Sequence, residues 1–74
     1  MRQRDIFDRA ADCQRMRDLA PDRQGEISFE LVRDFWIALA NMAPFMPDDK
    51  IAEQVAIIEK IQAAAELGRY RRTG

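Results

Sequence analysis

Few residues in this chain are of the types that do chemistry. There is no histidine, and Cys13 is the only cysteine among 74 residues. A nucleophile needs a neighbouring base, and a zinc site needs several His, Cys or carboxylate ligands brought together. The spacing supplies neither. Cys13 lies on the apolar side of a helical pattern with no basic partner to activate it, and reads as a small buried hydrophobe. One thiol also excludes an internal disulfide and fits a reducing cytoplasm. The remaining candidates are carboxylates on polar faces, so no catalytic residue is assigned and no enzyme is expected.

Two other stretches are tested for ligands. Asp22-Arg23-Gln24-Gly25-Glu26-Ile27-Ser28 looks like the second half of a calcium loop. With Gly25 at the sixth loop position, Asp22 fits the third and Gln24 is tolerable at the fifth. Ala20, however, stands where the first Asp is required, and Leu31 where the bidentate Glu is required. Losing both end ligands removes most of the charge that would hold Ca²⁺, so neither metal nor cofactor is expected. The tip Arg69-Tyr70-Arg71-Arg72 could touch phosphate through Arg69, Arg71 and Arg72, with Tyr70 free to stack. The same arginines also complement the negative end of a preceding helix.

Charge is segregated around a net −1. Residues 1–24 carry six Arg against five Asp, residues 25–67 three basic against eight acidic groups, and residues 68–74 three Arg and no acid. An acidic body argues against nucleic-acid binding by the whole domain. A helix-turn-helix is disfavoured as well, because the would-be recognition helix opens with Asp48-Asp49. Met1-Arg2-Gln3-Arg4-Asp5 is charged with no apolar run behind it, so no targeting segment is expected. The uncharged stretch 35–47 is too short to span a bilayer and holds two prolines. A soluble, cytoplasmic protein is expected.

The elements follow from apolar spacing. Residues 4–20 predict a first helix with Ile6, Ala10, Cys13, Met16 and Ala20 on one face and alternating Arg and Asp elsewhere. Residues 28–42 predict the second, with Ser28 as N-cap; a start near Asp22, leaving Gly25 inside the helix, is the alternative. Leu31, Val32, Phe35, Trp36, Leu39, Met42 and Ala43 form a stripe too wide for one partner helix. Ala43 and Met46, each before a proline, are expected to be extended. Phe45 and Met46 either plug the end of the core or stand out as anchors. Residues 48–67 predict the third helix, with Asp48 and Asp49 at its positive end and Gly68 as a left-handed cap. Residues 69–74 are expected to fray.

The third helix has two apolar seams. Ile51, Val55, Ile58, Gln62 and Ala65 form one, and Ile57, Ile61 and Ala64 the other. In a flat arrangement the second seam is left for a partner; in a tight triangle the first helix covers it. The expected fold is all-α: a small three-helix bundle in up-down-up order, one domain over residues 1–68 with a basic tip. A chain this short buries only about 60% of its unfolded surface, so oligomerisation is an expected stabiliser.

Arg9-Ala10-Ala11-Asp12-Cys13-Gln14-Arg15-Met16, then Ala20-Pro21-Asp22, Phe29 and Trp36-Ile37-Ala38-Leu39-Ala40, resembles uncharacterised short helical-hairpin proteins of alphaproteobacteria. The likeness covers about residues 9–42. The chain departs at Gly25-Glu26-Ile27-Ser28, where those proteins continue in helix, and adds a long third helix. The resemblance implies a helical hairpin in a bacterial cytoplasm and carries no site residues.

The function expected is a non-enzymatic interaction or regulatory module, acting by self-association or by docking a protein. Its candidate interface is Ile57, Ile61 and Ala64 with Phe45 and Met46. The rivals are an accessory nucleic-acid binder through the arginine tip and a membrane-surface binder through Phe35, Trp36 and Phe45. The last lacks the Lys/Arg-rich flank such helices use.

Overall fold

The computed structural model describes residues 2–71, with side chains as far as Gly68. Three helices make up the fold: α1 (Gln3–Asp18), α2 (Arg23–Met42) and α3 (Asp48–Arg71). A single 3-10 turn, Ala43–Phe45, joins α2 to α3. Gln3 and Arg17 of α1 reach Ala40 and Glu30 of α2, which sets those helices antiparallel. Trp36 of α2 reaches Gln62 of α3, while Met42 lies near Gln54 and Gly25 near Gly68, so α3 runs back along α2. The order is up-down-up, with α2 central.

The core takes part of each expected face, and Ala40 joins it from outside the expected α2 stripe. Ile6, Ala10 and Cys13 come from α1, and Val32, Trp36, Leu39 and Ala40 from α2. Ile51, Val55 and Ile58, the first seam, come from α3. Trp36 is fully buried, as are Ile6 and Cys13.

Several boundaries differ from expectation. The second helix begins at Arg23 and not at Ser28, and the start near Asp22 is the one adopted. Asp22 is extended (φ −140°, ψ 167°), and its carboxylate accepts a hydrogen bond from the Gly25 N–H at 2.7 Å. That cap satisfies an orphan donor of the first turn and outweighs the poor propensity of Gly25. The first helix stops at Asp18 rather than residue 20, with Leu19 as its C-cap, since Pro21 disfavours helical backbone in the residue before it.

At the other end of α2, Ala43 is helical (φ −53°, ψ −40°) and not extended. The following turn is 3-10, so Pro44 sits at an early position where its missing N–H costs least. Met46 is extended, as expected (φ −116°, ψ 144°). Pro44 has no N–H to offer the Ala40 carbonyl four residues back. The Gln3 side-chain amide supplies the bond instead, at 2.9 Å. Finally, Gly68 is not a left-handed cap. No glycine among the described residues has positive φ, and α3 runs on through Gly68 to Arg71.

Candidate functional site

Trp36 is held from both neighbouring helices. Its indole N–H donates to Gln62 Oε1 at 2.9 Å, and the Cys13 thiol donates to the same oxygen at 3.6 Å. The Gln62 amide nitrogen donates to Glu66 at 3.4 Å. The Arg9 guanidinium lies 5.4 Å from the Trp36 ring centroid and pairs with Glu59 at 3.2 Å. The one polar residue of the first seam therefore satisfies a buried donor from each of the other helices. Burial pushes the Cys13 thiol up from its ordinary 9.0, and the negative charge of Glu66 adds to the effect. A thiol raised in this way stays protonated, which is the opposite of an activated nucleophile.

On the outer face of α1 and α2, Arg17 pairs with Glu30 at 3.1 Å and Arg33 donates to Gln14. Asp12 and Arg15 pair along α1 as their spacing predicts, whereas Arg9 crosses to Glu59 on α3. No three His, Cys, Asp or Glu side chains gather among the described residues. Residues 23–28 are helical, so the stretch like a calcium loop does not form a loop.

The feature left over is an apolar groove of about 350 Å³ between α2 and α3, on the side away from α1. From α2 it is lined by Phe35, Ala38, Leu39 and Met42, and from α3 by Gln54, Ile57, Ile58 and Ile61; Met46 closes one end. None of these residues is charged. Ile57 is exposed and Ile61 half-buried against the core, so the second seam is neither fully covered nor fully open. The arrangement lies between the flat and the triangular bundle.

Ala64, expected with Ile57 and Ile61, lines a different depression, beside Pro21, Gly25 and Ser28. Met46 turns inward, while Phe45 stands 84% exposed outside both hollows. The helix of Arg69 and Arg71 is described but their side chains are not, and Arg72 lies outside the described residues.

Of four exposed apolar residues on α2, Phe35 and Met42 line this groove, while Ile27 and Leu31 continue the same helix row into a separate shallow depression shared with Arg23, Glu30 and Asp34. Spacing alone puts Leu31, Phe35 and Met42 in the covered stripe and Ile27 in a loop, whereas all four are exposed. The signal was present in their spacing. Residues 27, 31, 35, 38 and 42 recur at intervals of four, four, three and four, a second helical row beside the core row. No described helix is long and apolar enough to cross a membrane. Comparison with family models, curated proteins and solved structures gives no match.

Proposed function

We propose that this protein is a non-enzymatic interaction module that works by helix docking. Its α2/α3 face takes up an apolar helical surface, contributed by a second copy or by a protein partner. The observation that carries the reading is the uncharged groove flanked by the exposed α2 row. Contiguous apolar surface rimmed by polar residues marks such sites in small soluble domains. The unpaired Cys13 supports a reducing, cytoplasmic setting, and the resemblance to alphaproteobacterial hairpins is the ground for a bacterial host.

The test is capture from extracts of the native host with two differently tagged copies of the chain. Wild type is compared with Leu31→Glu and Ile57→Glu at low and high salt, with mass-spectrometric identification. Both substituted residues are exposed, so the fold should survive. Partners lost with the two variants and retained at high salt support the reading. Partners indifferent to the variants place binding elsewhere. Binding that collapses with salt points instead to phosphate contact through Arg69, Arg71 and Arg72.

A further inference from the structure

We infer that the occupant of the α2/α3 face is a second copy of the same chain, docked about a two-fold axis with α2 antiparallel to its mate. The inference rests on the helix-docking reading and deepens it. Antiparallel helices that pack knobs into holes pair the two kinds of seam position with one another. The residue numbers facing each other within the seam then have a constant sum, and those that flank it on the solvent side have a sum two higher. On α2, pairing Leu31 with Met42 of the mate also pairs Phe35 with Ala38. The row is self-complementary, and its largest side chain falls opposite its smallest.

The outer seam of α3 is self-complementary in the same way. Pairing Ile57 with Ile61 of the mate also sets Gln54 level with Ala64, which lies past the groove's end where the seam borders the depression beside Pro21. The first axis passes level with Trp36 and Ile37, the second level with Glu59. These levels lie across from one another in the monomer, where Trp36 bonds to Gln62 and Arg9 ties Trp36 to Glu59. One two-fold axis therefore serves both rows. It also leaves both α3 helices on the same side of the α2 pair, closing a four-helix core over the groove.

The area fits a stable dimer. A standard interface buries about 800 Å² per partner, of which roughly 57%, or about 450 Å², is apolar. Leu31, Phe35, Met42 and Ile57 are 52%, 39%, 57% and 50% exposed. At ~200 Å² for a large apolar residue, these four alone offer about 400 Å², most of that apolar share. Charge is also compatible. Asp34, already paired with Arg33 at 2.8 Å, falls opposite the neutral Asn41 of the mate. The one unfavourable meeting is Lys60 with its own copy, on the solvent side where long side chains diverge.

The experiment is light scattering on the full chain from micromolar to millimolar concentration, with circular dichroism on every variant. Wild type should move from 8.6 kDa to twice that mass. Ala38→Glu, at an exposed position of the monomer, should weaken association at least about a hundredfold with the helical signal intact, because it sets a carboxylate in the seam. Asn41→Lys creates two pairs with Asp34 of the mate and should tighten association about threefold to tenfold, while Asn41→Asp should weaken it by a similar factor.

A constant monomer mass, or a dimer indifferent to Ala38→Glu, overturns the inference. A dimer in which Asn41→Lys and Asn41→Asp shift association the same way overturns the antiparallel pairing. A monomer whose other partners are still lost with Leu31→Glu sinks the self-docking and leaves the helix-docking reading standing. A chain that captures nothing through this face, itself included, sinks both.

Discussion

Gln62 is the residue on which the three helices agree. Spacing puts it in an apolar seam, and its chemistry lies in the oxygen on which the Trp36 N–H ends. A buried indole needs an acceptor, and the sequence offers many glutamines without saying which one arrives. Gln62→Leu should cost about 1–3 kcal/mol, because it strands the Trp36 donor in the core. Adding Trp36→Phe should recover part of that loss, and denaturant melts of the two singles and the double would measure the coupling. Cys13 makes a pH prediction. Its folded pKa lies above the ordinary 9.0, so the folded state holds the thiol proton more firmly than the unfolded chain does. The stabilisation is complete below pH 9 and is lost as pH rises through the folded value. Cys13→Ser keeps a donor for Gln62 but does not titrate there, so its stability should fall less than that of wild type as pH rises above 9.

At the scale of elements, helix existence was legible and helix ends were not. Hydrophobic periodicity marks a helix over many residues, whereas one hydrogen bond decides where it starts. Ser28 and Asp22 are both good caps by type; Asp22 prevails because Gly25 lets the chain turn close beneath it. A Cβ on Gly25 would lie 3.0 Å from Asp22 Oδ1 and 3.2 Å from Ala20 Cβ. Gly25→Ala should therefore forgo the gain of up to about 1 kcal/mol that alanine brings to a helix, because it pushes against its own cap. Gly68→Ala has nothing within 4 Å and should realise that gain, seen as a higher melting temperature. Asp22→Ala should cost ~0.5–2 kcal/mol. The exposed row on α2 was missed for a different reason. A stripe wider than one partner can be covered by two helices or left partly bare, and only the angle between α1 and α3 decides.

For the molecule as a whole, small size is the controlling fact. A single core of this length yields only a few kcal/mol, so any surface the folded state can hide in a second copy adds directly to its stability. If association proceeds as inferred, the melting temperature rises with protein concentration, and Ala38→Glu abolishes that dependence while leaving the dilute-limit melt in place. The shared Gln62 oxygen also has a consequence in time. Trp36 is 26 residues from Gln62 and Cys13 is 49, so this junction closes only after the chain has spanned two turns and three helices. The α1–α2 hairpin is the more extensively packed of the two helix pairs and can assemble first, with α3 arriving afterwards. Removing the Gln62 amide should then speed unfolding while leaving the folding rate nearly unchanged. Stopped-flow tryptophan fluorescence would read both rates, with the chain's own Trp36 as the clock for the last helix to dock.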